Sequence, residues 1–166
     1  MRRALRWGAS CRRTGRRKDD QGAAALEFAL IVPILTVLVF AVIAFGYMLS
    51  FRQAMSQAAA EGGRAAAVQI GGTSTAERKA AALAAVNDAL DSYGVKCTSG
   101  GALTHSGGAS GTCAITIGGC TSGPADAQCA KVTLDYPYSD NALIPGLGIN
   151  ALLPDNLVYK TEVRVS

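Results

Sequence analysis

The sequence predicts an α+β protein: a single N-terminal transmembrane helix extending into a long amphipathic helix, then a second helix packed on a small antiparallel sheet. Three observations predict it. Phe28–Leu49 (FALIVPILTVLVFAVIAFGYML) runs 22 residues without a charge, which at 1.5 Å per residue spans the roughly 30 Å hydrocarbon core of a bilayer. Thr75–Tyr93 carries apolar residues at helical spacing, and three later segments alternate in the manner of half-buried strands. The 166 residues suit about one domain. Hydrophobic residues make up 49% and mean hydropathy is +0.23, which excludes a disordered chain; 6% aromatics and 19 glycines argue against a large enzyme core.

Residues 1–22 form a basic leader. Eight of the 16 Lys and Arg lie in the first 18 positions, opposed locally by Asp19 and Asp20, whereas from Tyr47 onward eight bases face nine acids. The positive charge therefore belongs to the leader, and nucleic-acid binding by the body of the chain is disfavoured. The positive-inside rule puts the leader in the cytoplasm and the C-terminal region outside, giving a single-pass cell-membrane protein. A cleaved secretory signal fits less well: the apolar run exceeds the usual 7–15 residues, and the helical pattern continues through Tyr47, Phe51 and Met55 without a small-residue cleavage site.

Residues 23–49 are the expected transmembrane helix. Pro33 lies near its start, a position that membrane helices tolerate where neighbours satisfy the freed carbonyl. Residues 50–70 extend the helix, and Gly46, Ser50, Ala54, Ala58, Gly62 and Ala66 recur every fourth residue. Such a stripe lets another backbone approach closely; it reads equally as an assembly surface or as an alanine-rich helix without a partner. Gly62 and Gly63 are expected to loosen the helix as it leaves the membrane zone.

Residues 71–166 are expected to form a small extracytoplasmic α+β domain with disulfides. After Gly71-Gly72-Thr73-Ser74, Ser74 or Thr75 caps a helix with Glu77 in its first turn and Ala80, Leu83, Val86, Leu90 and Tyr93 on its apolar face; Gly94 ends it. Cys97–Gly111 reads as a Gly/Ser-rich loop. Strands are expected at Thr112–Ile117, Lys131–Tyr138 and Leu157–Val165, enough for a small sheet.

Cys11 belongs to the leader as a free thiol. Cys97, Cys113, Cys120 and Cys129 form an even set in the exported part, where disulfides persist. Four cysteines permit three connectivities. Sequential pairing, Cys97 with Cys113 and Cys120 with Cys129, is preferred because each enclosed segment is a Gly-rich or Pro-containing loop that turns back at low strain. No close C-x₂-C pair supports a zinc site, so no metal is expected. The single histidine, His105, sits in the Gly-rich loop, where approach to Cys113 as a thiol–imidazole pair is a minor alternative to simple solvation. Asp88 and Asp91 read as the wet side of the second helix. The sequence lacks G-x-S-x-G, S-x-x-K, G-x-x-x-x-G-K and H-E-x-x-H. Neither an enzyme nor a cofactor is expected.

The most informative residues are Gln21-Gly22-Ala23-Ala24-Ala25-Leu26-Glu27-Phe28-Ala29-Leu30-Ile31-Val32-Pro33, with Phe51-Arg52-Gln53-Ala54 and Ala59-Ala60-Glu61-Gly62-Gly63-Arg64-Ala65-Ala66 at the helix exit. Over residues 20–68 the chain resembles the TadE-like family of the tight-adherence (Flp) pilus machinery. That resemblance implies a membrane-anchored, pseudopilin-like part in pilus assembly, secretion or adhesion. It implies processing by a prepilin peptidase between Gly22 and Ala23, with Glu27 fifth in the mature chain. The implied assembly residues are Glu27, Phe28 and Pro33, together with Gly46, Ser50 and Ala54 from the small-residue row. The implied partners are the membrane, other pilus or pseudopilin subunits and the assembly machinery. Physical chemistry permits the role, since a carboxylate at the edge of hydrocarbon is costly unless paired, and the N-terminal amine of a neighbouring subunit suits it. The bland alternative leaves Glu27 in the first helical turn at headgroup level, where the helix dipole favours an acid. The competing function is a membrane-tethered extracytoplasmic binding or adhesion module unrelated to pilus assembly.

Overall fold

The computed structural model describes residues 16–68, 74–141 and 154–165, with side chains from Gly22 onward. The basic residues from Arg2 to Arg13, Cys11 and the Gly71-Gly72-Thr73 break lie outside the described residues. The chain divides into two compact units, Met1–Phe40 and Ala41–Ser166.

In the first unit the described residues belong to helix α1 (Arg16–Ala67), which continues through Pro33. Leu26, Phe28, Leu30, Ile34, Val37 and Phe40 are all exposed. A helical stretch that is apolar all round and exposed among the described residues has the character of a membrane span. With a mean hydropathy of 3.0 in its most apolar window, α1 is long and apolar enough to cross a membrane.

The second unit is α+β. It holds the C-terminal part of α1, helix α2 (Thr75–Leu90), a 3₁₀ turn at Asp91–Tyr93, and strands β1 (Val95–Cys97), β2 (Ala102–His105), β3 (Gly108–Gly119), β4 (Gln128–Pro137) and β5 (Asn156–Val165). The strands form one antiparallel sheet in sequence order. Period-2 alternation sorts its faces. In β4, Val132, Leu134 and Tyr136 are buried, and their partners Ile115, Cys113, Thr161, Tyr159 and Leu157 share that face. Met48, Phe51, Met55, Ala58 and Ala59 of α1 join Val86 and Leu90 of α2 in the core against it. The other face is polar, with Thr116, Lys131 and Glu162 aligned across three strands.

Two strands lie where a loop was expected over Cys97–Gly111. The cause is local: Ser106 (φ 52°) and Gly107 (φ 82°) both take positive φ between the paired residues His105 and Gly108. That is the backbone of a two-residue hairpin, and glycines had masked the alternation of the strands it joins.

Helix α2 starts at Ser74, whose hydroxyl accepts from Glu77 N at 3.2 Å while the Glu77 carboxylate accepts from Ser74 N, a capping box. Its buried row is Ala82, Val86 and Leu90; Ala80, expected on the apolar face, is exposed. Gly94 closes the following 3₁₀ turn in the left-handed region. The Asn87 side chain donates to Cys97 O at 3.1 Å and accepts from Cys97 N at 2.7 Å, satisfying backbone groups at the edge strand β1.

Gly62 and Gly63 do not loosen α1, which continues past them to Ala67. They permit close packing instead. A Cβ on Gly62 would lie 2.7 Å from Val86 Cγ2, and one on Gly63 would lie 2.8 Å from Val163 Cγ2.

Disulfides join Cys97 to Cys113 and Cys120 to Cys129, the sequential pairing. Closing loops of this size typically contributes about 2–4 kcal/mol.

An aromatic cluster forms one end of the core. Phe51 sits 5.0 Å from the Tyr136 ring, 5.2 Å from Tyr93 and 6.0 Å from Tyr138, and Tyr47 stacks edge-on against Tyr93 at 5.6 Å. Tyr136 OH donates to Asn141 O at 2.9 Å. Burial, reinforced by neighbouring Tyr138, pushes the Tyr136 phenol up to about 12 from its ordinary 10.0. The unfolded chain then loses this proton first as pH rises. The associated stability is complete below pH 10 and is lost as pH rises towards 12. Thermal melts across this window should show falling stability, with a shallower fall for Tyr136→Phe; identical slopes would mean that Tyr136 does not carry the effect.

Candidate functional site

Helix α1 presents the expected processing and assembly residues. Gly22, Ala23, Glu27, Phe28 and Pro33 all lie exposed along it. A Cβ on Gly22 would meet nothing within 4 Å among the described residues, so their packing does not require a glycine there. The residues three and four positions from Glu27 are Ala23, Ala24, Leu30 and Ile31, which offer no charge to its carboxylate. Among the described residues Glu27 has no ion-pair partner, although it stands at the head of the charge-free run Phe28–Leu49.

The small-residue row is divided. Gly46 is exposed with open space around its Cα. Ser50 is exposed but its hydroxyl shares a hydrogen bond with Tyr93 OH at 2.5 Å. Ala54, Ala58, Gly62 and Ala66 are buried in the chain's own second unit. The close-approach surface thus has an internal partner over its C-terminal half, in place of the two readings open from sequence. Only Gly46 and Ser50 among the three expected assembly positions of this row face outward.

The structure brings Cys120, Cys129 and Glu162 together, but both sulfurs are spent in a disulfide and no thiolate is left to ligate a metal. Glu162 has another task. It accepts a hydrogen bond from Thr121 N and lies 3.9 Å from Lys131 Nζ. The Thr121 hydrogen bonds, from side chain and backbone, hold its carboxyl below the usual range, with Lys131 adding to the effect. Cys113 is likewise in a disulfide, so the thiol–imidazole pair with His105 does not exist.

A groove of about 490 Å³ lies between α2 and the β1–β2 turn, lined by Lys79, Leu83, Thr98 and Ile115 among others. It brings together no acid–base pair. The aromatic cluster of Tyr47, Tyr93, Tyr136 and Tyr138 went unread in the sequence, because its members come from α1, the 3₁₀ turn, β4 and the turn that follows it, and only tertiary packing brings them together.

No curated protein and no solved structure matches the chain. From the exposed glycine at the head of α1 to the arginine beyond its buried glycine pair, residues 22–64 match the model of the TadE-like protein family.

Proposed function

We propose that the chain is a membrane-anchored, pseudopilin-like component of tight-adherence (Flp, type IV-like) pilus assembly or secretion, with its N-terminus cytoplasmic and its disulfide-bonded domain outside. The observation that carries this reading is the coincidence of the family match with a largely exposed apolar stretch of α1, Phe28 to Phe40, headed by Glu27, which has no ion-pair partner among the described residues. A carboxylate at the hydrocarbon edge calls for a cationic partner, and the amine freed by cleavage between Gly22 and Ala23 of a neighbouring subunit supplies one. Phe28 and Pro33, exposed on the same helix, would pack against other pilus subunits, and Gly46 would admit a neighbouring helix.

A tethered binding or adhesion module is the second reading. Burial of Ala54, Ala58 and Gly62 in the chain's own core favours it, since these residues are then not available to another helix. Two variants separate the readings. Gly22→Leu should leave an uncut precursor in the membrane, since a bulky side chain crowds the scissile bond. Glu27→Ala should still be cut yet fail to support piliation or to crosslink with pilus subunits. Mass spectrometry of the membrane-extracted chain reads the cleavage and electron microscopy the pili. Normal piliation with Glu27→Ala and after deletion of the gene would defeat the assembly role and leave the tether.

A further inference from the structure

The exposed side of α1 changes character at a defined level within the second unit. Val42, Ile43 and Leu49 are 65%, 52% and 52% exposed, with exposed Gly46 between them. The next exposed positions, Ser50, Arg52, Gln53, Ser56 and Gln57, are all polar. On the opposite side of the same turns, Ala44 is buried, Met48 belongs to the core shared with the sheet and α2, and Phe45 packs against that core. The lipid-like band and the domain-covered band therefore overlap from Ala44 to Leu49. Five residue steps correspond to about 7–8 Å along the helix, close to the roughly 5–8 Å depth of one headgroup layer. If α1 is sunk in lipid up to Leu49, the end of the domain packed on Ala44 and Met48 descends into that layer with it.

The chemistry of this end suits such a place. Tyr47 and Tyr93 are partly exposed, with rings in contact with aromatic neighbours and with polar hydroxyls, the amphipathic design that is enriched at membrane–water interfaces. Arg52 is the first cation beyond Leu49. It is exposed, and its Nε donates to Tyr159 OH at 3.1 Å, leaving the terminal guanidinium nitrogens to phosphate oxygens. Asp140, exposed in the turn after β4, keeps the surface at headgroup level, since a carboxylate is costly in hydrocarbon.

We propose that this end of the second unit, centred on Tyr47, Leu49, Arg52 and Tyr93, is a docking surface for the phospholipid headgroups of the membrane that α1 crosses. The proposal rests on the membrane-anchor reading above and adds to it that the domain stands in the interface and not on a free stalk. Docking fixes the depth of the anchor, because sliding α1 outward would expose Val42, Ile43 and Leu49 to water.

Depth-dependent quenching tests this in the full-length chain reconstituted in phosphatidylcholine vesicles. Trp7, the sole tryptophan, is replaced by Phe, and one indole is introduced by Tyr93→Trp, by Leu38→Trp within the apolar helix, or by Gln57→Trp two turns beyond Leu49. Lipids brominated near the headgroup end of the acyl chain should remove most of the emission from the Tyr93→Trp protein, with weaker quenching by lipids brominated near the chain end. The Leu38→Trp protein should respond more strongly to the deeper bromines, and the Gln57→Trp protein to neither. If Tyr93→Trp disturbs folding, Asp140→Trp probes the same end with the same expectation. Quenching at Leu38 without quenching at Tyr93 would overturn the docking surface and leave the anchor intact. Shielding of Tyr93→Trp from aqueous acrylamide without bromolipid quenching would also overturn it, in favour of a protein contact. Absence of quenching at Leu38 would remove the anchor reading itself, and the docking surface with it.

Discussion

Replacing Phe51 with alanine is expected to cost about 3–5 kcal/mol of stability, the usual range for an aromatic-to-alanine change in a closed core. Phe51 is fully buried, and its ring meets Tyr93, Tyr136 and Tyr138 from three elements. The loss combines lost apolar burial, a cavity that rigid strand and helix backbones cannot collapse, and an edge-to-face contact with Tyr136 worth about 0.5–1.5 kcal/mol beyond area. Because α1 supplies Phe51, the effect also tests whether the family-matched helix is structurally part of the domain. A helix that merely tethers would let the sheet and α2 melt unchanged. Thermal unfolding of the detergent-solubilised chain, followed in the near ultraviolet, should show a lower midpoint for Phe51→Ala. An unchanged midpoint would mean that the domain folds without α1.

That dependence explains which features were legible in the sequence. The charge-free run, the second helix with its Ser74–Glu77 cap, and the alternation of β4 and β5 are local signals, and each appears in the structure close to where its residues point. What escaped were features set by approach between distant segments. The stripe of Ala54, Ala58 and Gly62 has the same spacing whether it meets another subunit or its own sheet, and periodicity contains no information about which. Gly62 and Gly63 illustrate the point: from sequence they weaken a helix, while in the fold they admit Val86 and Val163 at distances no side chain would allow. Ala80 was placed on the apolar face because alanine fits either side of a helix. Among the candidate functional residues, Gly22, Ala23, Glu27, Phe28, Pro33 and Gly46 are exposed, and the roles proposed for them call for neighbours outside this chain.

Replacing Gly111 with valine is expected to destabilise the domain by about 2–5 kcal/mol, combining strain at an unfavourable φ with overpacking. Gly111 pairs with Leu103 just beside the register shift of the β2–β3 hairpin, at φ 156°. A Cβ there would run into the carbonyl oxygen of Asp135 and come within 3.2 Å of Tyr136 Cα. Both obstacles are backbone of the neighbouring strand β4, so no rotamer change relieves them, and the strands must separate where Tyr136 anchors the aromatic cluster. Gly118 supplies the control. It lies in the same strand and a Cβ on it would meet nothing within 4 Å, so Gly118→Ala should shift stability by less than about 1 kcal/mol. Denaturant unfolding of the two variants beside the parent chain checks the contrast. Equal midpoints for Gly111→Val and Gly118→Ala would mean that β3 and β4 do not approach as closely at Gly111 as the fold requires. A selective loss at Gly111 would place the hairpin that sequence alone reads as a loop among the elements that hold the aromatic end of the domain together.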